Sequence, residues 1–281
     1  LYREDRLFLA RQPDTYPHFR GEEAPVAIIG CTQERLFVDV RPGQRIYFDD
    51  GKLGGTIQQL FPEGVMVHIE QASIKGNNLG SEKGINLPDT DLQLHSLTDD
   101  DYHHLPLIAE IADVIGYSFV RRPQDVADLQ EELRALGHPD LGIVLKIETR
   151  EAFHHFPDLI FQAFQSPVVG IMIARGDLAV EIGFERIAEV QEELLWLAEA
   201  AHVPDIWATQ VLENLAKKGL ATRSEITDAA MATRAACVML NKGPHITDAV
   251  RTLRDITSRM EQHINRKQGS LRPLSVASRF I

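Results

Sequence analysis

Lys146 and Glu148 stand two residues apart at the end of the apolar run Ile143-Val144-Leu145, and Asp177 follows Ala174-Arg175-Gly176 at the end of another, Val169-Gly170-Ile171-Met172-Ile173. Alternate side chains of an extended strand share a face, so Lys146 and Glu148 point the same way. A lysine and two acids converging on one mouth suit a divalent cation beside a fixed ammonium, since Mg²⁺ is typically held by one or two carboxylates plus substrate oxygens and water. Ser118, in Ser118-Phe119-Val120-Arg121, and Thr209, in Ala208-Thr209-Gln210, bring hydroxyls to the ends of two further runs, and Asn241-Lys242-Gly243 ends a fifth. Taken singly, each has a bland reading. Lys-x-Glu is an ordinary ion pair, Arg175-Gly176-Asp177 an adhesion-type loop, Asp49-Asp50-Gly51 a hairpin turn, and Lys242 a solvated loop lysine or a phosphate contact. Their joint order, one set per unit in one register, carries more weight than any member.

The elements that must hold these residues differ between two parts of the chain. Residues 1–91 read as strands and turns: Arg41-Pro42-Gly43-Gln44 and Asp49-Asp50-Gly51-Lys52 are turns, Arg45-Ile46-Tyr47-Phe48 is extended, and Gly64-Val65-Met66-Val67-His68-Ile69 alternates. No helical stretch stands out there, which predicts a small all-β domain. Residues 92–281 alternate short apolar runs with amphipathic helices. The runs are 114–120, 143–146, 169–173, 205–208 and 237–240. The clearest helix spaces Ile187, Val190, Leu194, Leu197 and Ala201 near a 3.6 period, with Glu189, Glu192 and Glu193 mostly on the other face. Units of about thirty residues match one β/α unit of a (β/α)₈ barrel. Five units do not close a barrel. An open doubly wound sheet is the alternative, but it usually carries a glycine-rich phosphate turn after its first strand, which is missing here. The expectation is an α/β fold, five of eight units of a TIM barrel, with the first three strands upstream of Leu1 or on another chain.

The 281 residues can bury a large core, and 44% apolar with 25% charged residues are ordinary for a globular protein. No apolar run approaches the roughly 18 residues of a membrane span, and Leu1-Tyr2-Arg3-Glu4-Asp5-Arg6 has neither an initiator Met nor a signal-peptide shape. A net charge of −12 argues against nucleic acid and anionic membranes as partners, though a phosphate site needs only a few local cations and amides. Cys31 and Cys237 lie outside any metal-ligand spacing; Cys237, in an apolar run, is expected to be a buried, inert thiol. Two unpatterned cysteines suit a reducing cytoplasm.

At this point the chain resembles the pyruvate kinase family. The stretches that carry the resemblance are YFDDGKLGG (47–55), GSEKGINLP (80–88), SFVRRPQDV (118–126), KIET (146–149), IMIARGDLAVE (171–181), WATQVLENL (207–215), TRSEITDAA (222–230) and VML (238–240). The resemblance implies a barrel with an inserted β-rich lid, here residues 1–91. It implies Glu148 and Asp177 as ligands of Mg²⁺ or Mn²⁺, and Lys146 as the ammonium facing the transferring phosphoryl group and the enolate. It places backbone amides around Ala174, Arg175 and Gly176 on the substrate carboxylate. Thr209 would stand where the enolate is protonated, Ser118 near the metal, and Asp50 and Lys83 over the nucleotide. The implied partners are phosphoenolpyruvate and ADP, with K⁺ as a candidate monovalent cation and a homo-oligomer as the expected assembly.

Departures from the family pattern mark the limits. The strands that supply a phosphate-binding arginine and most of the monovalent-cation site have no counterpart, so this chain alone is expected to be inactive. The family's Ser-Gly-Glu after the last barrel strand is replaced by Asn241-Lys242-Gly243-Pro244-His245, and its Gly-Asp-Leu-Gly ends in Ala179. The family's C-terminal effector domain is expected to be absent, and allosteric control through it with it; the tail 266–273 reads either as a disordered end or as a segment that docks on a neighbour. Two rival functions remain beside the phosphotransferase. One is a non-catalytic relative that binds metal and phosphoenolpyruvate; the other is a metal-dependent lyase or aldolase acting on pyruvate enolate.

Overall fold

In the computed structural model, residues 1–12, 14–19, 21 and 24–264 are described, the last four by their backbone alone. The tail 266–273 lies outside the described residues. The chain divides into two units, Leu1–His95 and Ser96–Ile281.

The first unit is built on one six-stranded sheet of β1 (Arg6–Ala10), β2 (Ala27–Gly30), β3 (Arg45–Phe48), β4 (Leu53–Phe61), β5 (Gly64–Gln71) and β6 (Ile85–Asn86), in the order β2-β1-β5-β4-β3-β6. Only β1 and β2 run parallel; the other pairs are antiparallel. The central strands β1 and β5 are buried on both faces. Leu7, Leu9, Val65, Val67 and Ile69 enter one core, while Phe8, Ala10 and Met66 pack with Phe19 and Phe61 on the opposite face. Between β3 and β4, Asp49, Asp50 and Gly51 take φ of 52°, 56° and 76° in succession, a left-handed turn that Asp tolerates and Gly adopts without steric cost. One helical turn, α1 (Leu36–Asp39), buries Leu36 and Phe37. It departs from the expectation of no helix in this part, because four residues are too few to set up a 3.6-residue period.

In the second unit, parallel strands and helices alternate. The strands are β7 (Val114–Tyr117), β8 (Gly142–Ile147), β9 (Val169–Ala174), β10 (Asp205–Val211) and β11 (Cys237–Leu240), and they neighbour one another strictly in chain order. The helices are α2 (Asp99–Ile111), α3 (Pro123–Ala135), α4 (Arg150–His154), α5 (Phe156–Ala163), α6 (Arg175–Ile182), α7 (Ile187–Ala200), α8 (Glu213–Lys218), α9 (Arg223–Ala232) and α10 (Ile246–Ile264). Thr98 and Thr222 open α2 and α9 with capping boxes to Asp101 and Glu225, which satisfy orphan amides of the first turn.

The two faces of this sheet differ. Leu145, Ile147, Ile171, Ile173 and Trp207 are wholly buried and share a core with Leu129 of α3, Leu159 of α5, Leu194 of α7 and Ala229 of α9. On the other face Val144, Lys146, Met172 and Ile206 are only half-buried. A doubly wound sheet reverses strand order at a switch point and covers both faces with helices. Among the described residues neither is seen, so the open doubly wound alternative is set aside.

Position in the sheet corrects two expectations. Cys237 is exposed, not buried, because among the described residues β11 is a sheet edge paired with β10 alone. Glu193 was expected on the polar face of α7 but is completely buried. That helix packs over an arc wider than its apolar stripe, burying Gln191 as well. The run 114–120 is also shorter as a strand than it reads, ending at Tyr117.

Candidate active site

Strand alternation fixes the first part of the site. Lys146, in β8, and Glu148, just beyond it, extend from the half-open face, and Lys146 Nζ lies 2.8 Å from Glu148 Oε1. The same ammonium donates to Ser118 Oγ at 2.7 Å. The second carboxylate oxygen, Glu148 Oε2, accepts the Phe119 backbone N–H at 2.6 Å. Phe119 reaches this position at φ 52°, so the turn after β7 aims a main-chain donor at a side chain 29 residues away. Glu148 is 3% exposed. Burial pushes its carboxyl above the usual range, against the pull of Lys146 and the Phe119 amide, and the charge of Asp177 raises it further. Asp177 lies in the first turn of α6, which follows the neighbouring strand β9.

The second part gathers where α6 meets the end of β10. Ala174 closes β9 with φ −86° and ψ 78°, and no side chain caps the helix that starts at Arg175. The helix dipole adds partial positive charge at this start. Thr209 abuts this turn: a Cβ on Gly176 would come 3.2 Å from Thr209 Oγ1. Beyond Ala208 the strand is irregular. Its register with β11 shifts between Trp207 and Val211, Gln210 and Leu212 are left-handed, and the Ala208–Thr209 peptide is cis.

Arg175 turns its side chain away from the helix start. Its guanidinium donates to Ala208 O at 3.2 Å and Thr209 O at 2.7 Å, grips both oxygens of Asp228 in α9, and lies 4.5 Å over the Trp207 ring. Sequence reading quoted Asp228 within TRSEITDAA but gave it no role, since its partner Arg175 is 53 residues away. It also missed the Phe119 amide, since nothing in Ser118-Phe119-Val120 announces a left-handed residue.

Asp50 and Lys83 belong to the first unit, where Lys83 pairs at 3.0 Å with Asp49 rather than Asp50. Lys52 joins the same carboxylate at 3.0 Å, and the two ammonium groups, Lys52 foremost, hold Asp49 below the usual carboxylate range. Lys242 is exposed, whereas Asn241 is tied down, donating to Glu213 Oε1 at 3.0 Å.

Among the described residues no three His, Cys, Asp or Glu groups gather as a metal cage. Glu148 and Asp177 nonetheless match what a hard divalent cation accepts, one or two carboxylates with the remaining oxygens from water and ligand. A cation between them would also offset the cost of keeping Glu148 buried beside a second acid.

Sequentially ordered parallel strands with helices on one face, and a charged cluster at their carboxyl ends, define a β/α protein of the barrel type, in which that end carries the chemistry. The family model for the pyruvate kinase barrel domain matches residues 17–244. The chain is 34% identical over 236 residues to pyruvate kinase PKLR of Rattus norvegicus, covering 82% of this chain and 39% of that protein. It is 32% identical over 254 residues to a pyruvate kinase of Clostridium acetobutylicum, covering 87% and 52%. A pyruvate kinase of Bacillus licheniformis is 33% identical over 247 residues, covering 85% and 41%. The chain belongs to the pyruvate kinase family, as its sequence motifs led us to expect, and spans about half the length of these relatives or less.

Proposed function

We propose that this chain carries the reaction centre of a pyruvate kinase-like phosphotransferase, which moves the phosphoryl group of phosphoenolpyruvate to ADP and yields pyruvate and ATP. The observation that carries the reading is Lys146, held between Ser118 and the buried Glu148 at the carboxyl end of β8. In the reaction the bond from phosphorus to the enol oxygen breaks and a bond to the terminal oxygen of ADP forms. The enolate left behind takes a proton at carbon. Little covalent help is needed; charge neutralisation and positioning dominate. Lys146 offsets negative charge on the phosphoryl group and the enolate oxygen. Backbone amides at Ala174, Arg175 and Gly176, where β9 passes into α6, receive the substrate carboxylate. Ser118 orients Lys146, and Thr209, against that helix start, organises delivery of the proton. Glu148 and Asp177 hold Mg²⁺ or Mn²⁺, which when bound supplies further neutralisation of the phosphate oxygens.

On motif identity alone, Asp50 and Lys83 of the first unit are assigned to the nucleotide, and that unit to a lid inserted in the barrel. The open edges β7 and β11 support the reading that the remaining strands come from a further segment of the same polypeptide or from another chain. K⁺ as activator, a homo-oligomeric assembly and a cytoplasmic setting extend the same reading; among the described residues no helix is long and apolar enough to cross a membrane.

The test is pyruvate formation from phosphoenolpyruvate and ADP by the full natural polypeptide, with Mg²⁺ and with or without K⁺. Glu148→Gln and Asp177→Asn should each weaken Mg²⁺ binding and abolish turnover, and full activity in either would sink the site assignment. Lys146→Met should lower kcat by about 10²–10³-fold, the usual loss for a group that stabilises transition-state charge, with a much smaller change in KM. Folded protein that binds Mg²⁺ and phosphoenolpyruvate without turnover would identify a non-catalytic relative.

A further inference from the structure

We infer that the side chain of Arg175, anchored by Asp228, is a positioning element that sets Thr209 against the substrate-carboxylate end of α6. The inference rests on the phosphotransferase reading and adds a role for a side chain that so far entered only through its backbone amide. Two successive carbonyls of a regular strand point in opposite directions, yet one guanidinium receives both Ala208 O and Thr209 O. The segment they bracket is the irregular end of β10, where the ladder to β11 shifts register and Gln210 is left-handed. Strand pairing therefore does not fix Thr209. Arg175 supplies the missing constraint from the first residue of α6, the helix whose amides face the carboxylate.

The clamp is built to be rigid. Both Asp228 oxygens accept from the guanidinium, Nη2 to Oδ2 at 2.8 Å, a bidentate geometry that fixes direction as well as distance. Trp207, fully buried, backs the guanidinium plane at 4.5 Å, and the Arg175 side chain is only 13% exposed. Lysine could not replace it, because an ammonium is a point charge without the planar fork that reaches two carbonyls and a carboxylate together. Since a Cβ on Gly176 would lie 3.2 Å from Thr209 Oγ1, the hydroxyl follows any shift of the Ala208–Gln210 backbone relative to α6.

The test uses the full natural polypeptide with Arg175→Lys and, separately, Asp228→Asn, which preserves shape and removes the charge. Two readouts are taken: kcat and KM for pyruvate formation, and exchange of pyruvate methyl hydrogens with D₂O followed by proton NMR. In the exchange a C–H bond breaks to give the enolate and a C–D bond forms from solvent, so it reports the proton step without phosphoryl transfer. Both variants should lose about 10²-fold in exchange and in kcat, the scale expected when a reacting group is displaced by about an ångström. KM for phosphoenolpyruvate should stay within about threefold, because the α6 amides are untouched. Exchange near the parent rate in both variants overturns the role. So does a loss confined to KM, or unfolding of both variants at the assay temperature; if only Arg175→Lys unfolds, Asp228→Asn decides. A parent protein without turnover or exchange overturns the phosphotransferase reading and this role with it, whereas an active parent with unaffected variants overturns the role alone.

Discussion

Two buried carboxylates in the second unit are handled differently, and the contrast defines what each residue is for. Both oxygens of Glu148 meet donors on the half-open face. In Asp205, at the start of β10, Oδ1 accepts the Ala236 N–H at 3.1 Å, but Oδ2 is buried without a hydrogen-bond partner. Burial raises the Asp205 pKa above its ordinary 3.8, while the Ala236 bond and the Arg234 charge only partly offset it. A raised folded-state pKa means the native protein holds this proton more tightly than the unfolded chain. Stability from this group therefore falls as pH rises from 3.8 through the raised value, and the cost is constant above it. Asp205→Asn keeps the acceptor for Ala236 and removes the charge, so it should raise the thermal midpoint at neutral pH. The gain should shrink as pH falls through the raised value and vanish below 3.8, where the carboxyl is neutral in both the native and the unfolded state. Melting curves across that range check it; a gain that grows in acid would contradict the assignment. At this scale the site was largely legible: a period of two put Lys146 and Glu148 on one face without any knowledge of the fold. The Arg175–Asp228 contact was not, since pairing across 53 residues leaves no local pattern.

Among elements, the segment after β11 carries one of the departures from the family pattern, and its packing gives a physical reason for one of its residues. Gly243 passes so close to α8 that a Cβ there would lie 2.2 Å from Ala216 O and 2.5 Å from Ala216 C. The same carbonyl accepts the His245 N–H at 2.9 Å, so the loop is pinned to the helix by backbone contact. A side chain could be accommodated only by moving the loop off that bond. Gly243→Ala should therefore destabilise the fold by about 1–3 kcal/mol, the usual range for overpacking a tight contact, read as a lower denaturation midpoint; an unchanged midpoint would show that the loop yields freely. The strands and the long helix α7 could be read from hydrophobic runs and a 3.6 period, because those patterns reflect burial under a single neighbour. Exposure of Cys237 and burial of Glu193 could not, since they depend on which elements lie beyond β11 and over α7. Nor could α1, whose four residues hold no period. The clamp of Arg175 on β10 belongs with these: the strand end was visible, its irregularity was not.

For the whole molecule, the division into Leu1–His95 and Ser96–Ile281 leaves two bodies with different prospects alone. Each apolar cluster draws its residues from one unit. The first unit has a sheet buried on both faces at β1 and β5, and domains of roughly 60 residues or more can fold by themselves. Residues 1–95 made separately should give a β-type circular dichroism spectrum and one cooperative melt. Among the described residues, the second unit ends in two unpaired parallel edges. At β7 the ladder stops beside Val114, 48% exposed, with Ile111 of α2 75% exposed; at β11 it stops beside exposed Cys237. Unpaired N–H and C=O groups flanked by apolar side chains recruit further strands, and parallel sheets are normally found buried. Residues 96–281 alone should accordingly associate as concentration rises, in reducing buffer that excludes a Cys237 disulfide, whereas residues 1–95 should not. Sedimentation velocity over a concentration series separates the two. If 96–281 stays monomeric at high micromolar concentration with its helical signal intact, the edges are self-sufficient, and the proposal that further strands complete this sheet loses its structural support.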